Sequence, residues 1–396
     1  MLKRRIAVLA LIGVTIVAVA GFLVWRQPTT QNAILSRLDV SALSQRVASD
    51  PTSSRAQYWY GKRLAEAGNL PQAEAALRTS LGLQPDDLVA LGELGKVLFA
   101  ETKTEEAFQV LRMTVGRDPN AVEPRTMLAA LYQAQGATQR AMDELNVVLK
   151  QDAHNVSALY QLGACQATVQ QYGNAEATFR LALHEAPNDV RTLVGMSRVL
   201  RAMRRLEEAE AMARKAIQLD PENVDGLTAL AQVLAMSRPL DKNRDEALGL
   251  LRHARAIDAN RIDIPRTAAE ILTAAGRWRE AVSELREVIR IAPDSTQAYF
   301  LLARAYRQLG QLVESQRAEA IFRTCSAYDH RVNALRDQIA ADMDSAQLRF
   351  ALAEVHAKAG FPERAIVALR SGLERDPKNV QAQKRLAAIL KQVSQP

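Results

Sequence analysis

The segment LPQAEAALRTSLGLQPDD (residues 70–87) decides the fold of this protein, because close copies of it return at a fixed interval. One copy is KTEEAFQVLRMTVGRDPN (residues 103–120), and another is YGNAEATFRLALHEAPND (residues 172–189). Alanine occurs at positions 73, 107, 141, 175 and 209, so the period is 34 residues. A fixed period of this length indicates an array of small structural repeats rather than one globular core.

A second series of small residues has the same period and predicts where helices cross. The series is Gly61, Gly95, Ala129, Gly163, Ser197 and Ala231. Small side chains let two helices approach closely, since a larger side chain would hold them apart. We therefore expect each repeat to contain two packed helices that cross at these positions.

The spacing within one copy predicts where its two helices begin and end. Leu64 lies near the end of the first helix, and Gly68 suits the left-handed conformation that terminates a helix. Pro71 is placed for the first turn of the second helix, and Leu77 lies on its buried stripe. Pro85 cannot continue a helix and therefore ends the unit.

A helix-turn-helix unit of 34 residues with these positions resembles the tetratricopeptide repeat (TPR) family. The signature residues of one copy are Leu94, Gly95, Leu98, Ala107, Leu111 and Pro119. The resemblance implies an all-α, right-handed α-solenoid of about nine repeats within residues 54–379. The predicted copies are residues 54–87, 88–121, 122–155, 156–189, 190–223, 224–261, 262–295, 296–329 and 346–379.

Three copies depart from the pattern, and the third and sixth have Ala153 and Ala259 where the closing proline is expected. The sixth has four extra residues within SRPLDKNRD (residues 237–245), which predicts a longer loop between its helices. The eighth has Ser315 and Glu319 where other copies have alanine and a large apolar residue, so we expect its second helix to pack in a different register.

Three further segments flank or interrupt the repeats. An extra helical segment is predicted near residues 330–345, as a lengthened or an additional helix. Residues 26–53 are predicted to form a linker and short helices. Residues 380–396 are predicted to form a terminal capping helix, on which the inward residues are Leu386, Ile389 and Leu390.

The first 25 residues have the pattern of a membrane anchor. A basic tail (residues 1–5) precedes residues 6–25, which contain no charge. A helix of that length matches a hydrocarbon core of about 30 Å, and the charge before it favours a cytoplasmic amino terminus. The solenoid would then lie on the non-cytoplasmic, periplasmic side. Cleavage as a signal peptide after Ala20 is the alternative; the apolar residues 22–25 beyond that site favour the uncleaved anchor.

Composition and motifs argue against an enzyme. The chain is 48% hydrophobic and 24% charged, with a formal net charge of +7. Cys165 and Cys325 form no disulfide framework, and the five histidines lack the spacing of a helical zinc site. No phosphate-binding loop or nucleophile elbow is present. We therefore predict no catalysis, no metal and no cofactor, and no nucleic-acid partner because no basic tract is present.

The TPR resemblance implies that the first helices of successive repeats line a concave groove, which holds an extended peptide or a partner helix. The groove-facing positions carry mainly aromatic and basic residues, the types that recognition surfaces favour. They are Tyr58, Trp59, Lys62, Lys96, Phe99, Met127, Tyr160, Arg191, Arg198, Arg201, Arg266, Phe300, Arg304, Arg307 and Phe350. Arg198 and Arg201 share a helical face, which predicts an anionic ligand there, although Glu207 and Glu208 are close enough to neutralise part of the charge.

Together these patterns predict a membrane-anchored, non-enzymatic scaffold that binds a protein or peptide partner and assists an envelope assembly or export machine. Two alternatives remain open. The protein could be a regulatory subunit that positions a glycan synthase or a protease, or a TPR adaptor that faces the cytoplasm.

Overall fold

The structure, a computed structural model, describes residues 28–237, 240–342 and 344–393. The predicted anchor at residues 6–25 lies outside these ranges and stays a prediction. Every regular element in the described ranges is a helix. None of these helices combines the length and the apolar character needed to cross a membrane. The chain divides into two compact units, of which unit 1 ends at Arg204 and unit 2 begins at Arg205.

The helices of unit 1 form two short leading helices, four complete repeats and the first helix of a fifth. They are α1 (Pro28–Leu35), α2 (Val40–Ser49), α3 (Ser54–Glu66), α4 (Leu70–Leu83), α5 (Leu88–Ala100), α6 (Thr104–Arg117), α7 (Val122–Ala134), α8 (Thr138–Gln151), α9 (Val156–Thr168), α10 (Tyr172–Glu185) and α11 (Val190–Ala202). The leading helices match the prediction for residues 26–53, and Leu35 and Leu43 are buried beside Ala56 of α3.

Unit 2 begins with the second helix of the fifth repeat. Its helices are α12 (Leu206–Leu219), α13 (Val224–Leu234), α14 (Leu240–Ile257), α15 (Asp263–Ala274), α16 (Trp278–Ile291), α17 (Thr296–Gln308), α18 (Leu312–Ala341), α19 (Ala346–Lys358), α20 (Pro362–Arg375) and α21 (Val380–Val393). These boundaries agree closely with the predicted copies, since the first helices begin within about one residue of each predicted start.

Local chemistry sets the helix ends. A polar residue precedes most first helices, and its side chain accepts a hydrogen bond from a backbone N–H of the first turn, as Ser53 and Asp87 do. In most repeats a residue of positive φ lies just after the first helix, and Gly68, with φ of 80°, confirms that prediction. Thr102 and Gln170 adopt the same conformation without being glycine, with φ of 60° and 61°.

The small residues do mark close helix crossings. A Cβ atom added to Gly61 would lie 2.8 Å from Leu77 Cγ, and one added to Gly163 would lie 2.6 Å from the Phe179 ring. The Phe179 ring also reaches Gly195, where an added Cβ would lie 2.8 Å away. Phe179 of α10 is therefore wedged between α9 and α11, and it is 1% exposed.

The sixth repeat corrects one prediction. Its second helix, α14, has 18 residues, whereas α4 and most other second helices have 14. The four extra residues therefore lengthen the helix, rather than mainly the loop as predicted. The run from Leu240 to Ile257 contains no proline or β-branched cluster that would stop the helix from extending by one turn.

The eighth repeat also differs from its prediction. Ser315 is buried in the position of the usual alanine, where its hydroxyl donates to the Ala303 carbonyl at 2.9 Å. The expected change of register therefore does not occur at this crossing. Glu319 is half-buried and pairs with Arg307 at 3.3 Å and Arg323 at 3.1 Å. The extra segment is a continuation of α18, which runs for 30 residues.

The capping helix α21 forms, with one correction to its buried face. Ile389 is 4% exposed and Leu386 is half-buried against the core of the last repeat. Leu390, however, is 39% exposed, so the prediction that it faces inward is wrong. The other buried residue of this helix is Ala382, its third residue.

Candidate functional site

The first-helix face is the surface formed by α3, α5, α7, α9 and α11 in unit 1, and by α13, α15, α17 and α19 in unit 2. Most first helices contact the first helix of the next repeat directly, as α5 contacts α7, α9 contacts α11 and α13 contacts α15. Second helices show no comparable contact with one another in the described ranges. The more closely spaced layer lies on the inner side of a curved array, so the first-helix face is the concave side of each unit.

The opposite surface, formed by the second helices, is linked by ion pairs between repeats. Arg78 pairs with Glu106 at 2.6 Å, and Lys103 pairs with Glu74 at 2.5 Å. Hydrogen bonds from Lys103 and from Arg78 lower the pKa of Glu74 to about 2. In unit 2, α12 and α14 are linked in the same way. Ion pairs between repeats therefore compensate part of the charge of this surface.

The amino-terminal part of the first-helix face is partly occupied by the chain itself. Trp59 contacts the leading helices, and its Nε1 donates to Asn32 Oδ1 at 3.4 Å. Lys62 Nζ lies 5.3 Å from the centroid of the Trp59 ring. Tyr58 is half-buried; burial, followed by the charge of Glu93, raises the pKa of its hydroxyl to about 12. These residues hold α3 against its neighbours as well as lining the face.

The centre of the face has one exposed aromatic side chain. Phe99, on the last turn of α5, is 42% exposed. Lys96 bridges α5 and α7 through Glu93 at 3.3 Å and Glu123 at 2.5 Å, so its charge is compensated. Met127 of α7 is half-buried against the core. Of the predicted residues in this region, Phe99 is therefore the best placed to contact a partner.

The carboxyl-terminal part of unit 1 combines an uncharged helix with a cationic one. Helix α9 has no charged residue, and α11 has three arginines and no acidic residue. The Arg191 guanidinium lies 5.3 Å from the centroid of the Tyr160 ring and 3.4 Å from Asp189. Arg198 is exposed and Arg201 is half-buried, and both have other contacts within the protein.

In unit 2 the predicted residues are more scattered. Arg304 lies over the Trp278 ring at 5.7 Å, and Phe300 is 52% exposed beside Phe322. Arg307 is paired with Glu319, and Arg266 is exposed on α15. The described residues of unit 2 therefore offer one exposed aromatic, at Phe300, and arginines nearby on the same helix.

Phe350 has a packing role that the sequence did not indicate. Its ring fills the space above Gly372 of α20, where an added Cβ atom would collide with it. It is half-buried in the core cluster of the last repeat. Phe350 therefore belongs mainly to the α19–α20 interface and not to the open surface where we predicted it.

Sequence reasoning also missed two residues on or beside this face. Val89 is 64% exposed in the first turn of α5, at the same repeat position that Arg191 occupies in α11. Trp278, at the start of α16, stacks with Arg304. The groove position gives the signal for Val89, but a selection of aromatic and basic residue types does not include valine. Among the described residues, no cluster of three or more His, Cys, Asp or Glu side chains could hold a metal ion.

Comparison with known proteins supports the repeat assignment. Models of the tetratricopeptide repeat family match residues 60–122, 98–165, 190–223, 272–324 and 346–389. No curated protein matches the sequence at a significant level.

Two solved structures share the fold. A tetratricopeptide repeat protein from Parabacteroides merdae has a TM-score of 0.53 and 18% identity, over 64% of this chain and 98% of its own. A monomeric mutant of IFIT1 with m7Gppp-AAAA has a TM-score of 0.55 and 14% identity, over 81% of each chain. At these identities the likeness concerns the fold alone. The matched family models cover more than half of the chain and, with the helix pairs described above, show that this chain belongs to the tetratricopeptide repeat family.

Proposed function

We propose that this protein is a non-enzymatic scaffold, which binds a segment of a partner protein on the first-helix face of unit 1. The observation that carries the proposal is the set of aromatic and arginine side chains on this face. The first-helix face exposes Phe99 and positions the Arg191 guanidinium over Tyr160.

The arrangement on α5, α9 and α11 favours a partner segment with both apolar and acidic residues. Exposed aromatic rings supply contact area, and aromatic and arginine side chains dominate binding energy at interfaces. Because Arg191 is stacked on Tyr160, its side chain loses less conformational entropy on binding than a free arginine would. Arg198 and Arg201 on α11 are the residues that we propose for an anionic group of the partner.

We propose further that residues 6–25 anchor the protein in a membrane, with the solenoid on the non-cytoplasmic side. The uncharged run and the preceding basic residues support this topology. Anchoring confines the scaffold to the membrane surface and raises its effective concentration near membrane-bound partners. The partner would then belong to an envelope assembly or export machine.

Photo-crosslinking in intact cells tests the binding surface. A photoreactive residue replaces Phe99 in one variant and Arg198 in another, and mass spectrometry identifies any adduct. Leu181 provides the matched control, because it is 58% exposed but lies on α10. We expect the same protein adduct at Phe99 and Arg198 and none at Leu181. Adducts of equal yield at all three positions, or none at the first two, would refute the proposed surface.

Reporter fusions after residue 30 test the topology independently. Alkaline phosphatase fused there is expected to be active, because that enzyme needs an oxidising, non-cytoplasmic compartment. A fluorescent cytoplasmic reporter is expected to be inactive at the same position. The reverse result would place the solenoid in the cytoplasm and support the adaptor alternative. The identity of the crosslinked protein separates an assembly machine from a glycan synthase or protease.

A further inference from the structure

Unit 2 contains a cavity of about 730 Å³ that the regular repeats do not predict. We call it the insertion cavity. Its walls come from the turn that closes the seventh repeat, the middle of α18, the turn between α19 and α20, and Val393 at the end of α21. Pockets that bind small molecules have volumes of roughly 300–1,000 Å³. This cavity is therefore large enough to receive an apolar side chain together with its neighbours in a peptide segment.

The cavity exists because α18 is too long for a regular repeat. Its 30 residues exceed the 14 of a typical second helix by more than four turns. The ninth repeat therefore meets the turn that closes the seventh. Arg364 Nη1 donates to Asp294 Oδ2 at 2.5 Å across 70 positions of sequence, whereas the pair Arg78 and Glu106 spans 28.

The walls of the cavity are fixed before any partner arrives. The Tyr328 hydroxyl is hydrogen-bonded to His356 Nδ1 at 2.8 Å, and the Tyr328 ring lies 5.2 Å from the Phe361 ring. The Arg364 guanidinium lies 4.6 Å from the centroid of the Phe361 ring and is also bound by Asp294. Such preorganisation lowers the entropy that binding must overcome.

The cavity has an apolar lining with an acidic edge. Ile291, Pro293, Phe361 and Val393 supply apolar surface. Arg364 is neutralised by Asp294, whereas Glu363 is exposed and makes no ion pair with any described residue. Glu363 lies in the first turn of α20, where the helix dipole offsets part of its charge, and the remaining negative charge at this edge favours a cationic neighbour.

We propose that the insertion cavity is a second protein-binding site, which receives an apolar side chain from a basic segment of a partner protein. The apolar side chain occupies the space beside Phe361 and Val393, and a lysine or arginine next to it pairs with Glu363. This site is separate from the first-helix face, and it suits a segment of the opposite charge to the one proposed for α11.

Disulfide trapping at Cys325 tests the proposal directly, because Cys325 lines the cavity whereas Cys165 is 1% exposed. Three peptides share a Leu-Phe-Cys core and are flanked by lysine, glutamine or glutamate, and a fourth has a Ser-Ser-Cys core flanked by lysine. Each is equilibrated with the Cys165→Ala protein in a fixed excess of thiol, and intact-protein mass spectrometry measures occupancy. We expect the lysine peptide to exceed the glutamate peptide by about threefold, the ratio of a weak exposed ion pair.

Two controls separate binding from general reactivity. In the Glu363→Gln variant, the lysine and glutamate peptides are expected to label Cys325 about as much as the glutamine peptide does. The apolar core still promotes labelling in this variant. Ala320→Cys, in a Cys165→Ala and Cys325→Ser background, places a thiol on α18 outside the cavity. Labelling there is expected not to depend on the Leu-Phe core.

Two results would overturn the proposal. One is equal labelling of Cys325 by peptides with and without the apolar core, and the other is a preference for the glutamate peptide. Helix content measured by circular dichroism confirms that each variant is folded. Crosslinking at Phe99 does not involve this cavity, so a failure of either proposal is distinguishable from a failure of the other.

Discussion

The fourth and eighth repeats have the same frame but join their helices in different ways. In the fourth, the buried Phe179 ring fills the space between Gly163 and Gly195. In the eighth, the position that matches Phe179 carries Glu319, whose carboxylate pairs with Arg307. A charged side chain cannot fill an apolar gap without losing its hydration, so it turns to the surface. The comparison shows that the residue at this position decides whether an aromatic ring or a surface ion pair lies beside the crossing, although Ala303, Tyr306 and Ala318 still form an apolar core in the eighth repeat.

The largest expected change in stability follows removal of the Phe179 ring from the fourth repeat. Phe179→Ala is expected to reduce the free energy of unfolding by about 3–5 kcal/mol, because it leaves a cavity between α9 and α11. Urea denaturation measures the loss, and hydrogen exchange of α9 to α11 locates it. Phe300→Ala is the control, since Phe300 is 52% exposed and its loss should cost little. Equal losses in the two variants would contradict the assignment of Phe179 as the wedge.

Replacement of Gly163, which faces the Phe179 ring, by a larger residue tests the same contact between α9 and α10. Gly163→Ala is expected to cost about 1–3 kcal/mol, because the new methyl group would overlap the Phe179 ring. The double variant with Phe179→Leu should show a smaller combined loss than the sum of its parts. Gly82→Ala, where no atom lies within 4 Å of an added Cβ, should not destabilise the protein. A neutral Gly163→Ala would show that the helices can move apart without cost.

Replacement of Glu319 by the apolar residue found in other repeats is expected to increase the stability of the protein by a smaller amount. Repeats with alanine at the crossing accept leucine opposite it, as Ala129 does with Leu145. Glu319→Leu should therefore raise the free energy of unfolding by about 1 kcal/mol, because apolar burial outweighs the loss of surface ion pairs. Chemical denaturation measures the change, with the exposed Glu314→Leu as the control. A loss of stability would show that the ion pairs of Glu319 with Arg307 and Arg323 stabilise the packing of α17 and α18.

The smallest expected effect is a pH dependence that differs between two histidines. Burial, with Arg364 and Arg336 nearby, lowers the pKa of His356 below its usual 6.5. Its contribution to stability is present above the unfolded pKa and is lost as pH falls towards the folded pKa. Glu185 raises the pKa of His154, so that group contributes in the opposite direction.

Hydrogen exchange at pH 7.5 and 5.5 checks this difference, after correction for the intrinsic pH dependence of exchange. We expect protection in α19 to fall at the lower pH, while protection near His154 is kept or increases. His356→Gln should reduce the pH dependence in α19, since the titrating group is removed. An unchanged pH dependence in that variant would assign the effect to another group.

Much of the fold was predictable because it depends on local spacing. The interval of 34 residues placed the first helix of each copy, and α5 begins at Leu88, as expected from the copy that starts there. The candidate site was less predictable. The positions on the first helices were available from the pattern, but their exposure was not. Phe99 is open, whereas Phe350 is covered because Gly372 happens to face it from the next helix.

The amino-acid sequence by itself determined the repeat, its helix caps and the small residues at each crossing, because these depend on neighbours within one or two turns. Only the tertiary structure decided that the extra residues of α18 continue one helix, and that Asp294 meets Arg364 across two repeats. It also decided which aromatic rings remain exposed. These features depend on contacts between residues far apart in sequence, whose distances no local pattern contains.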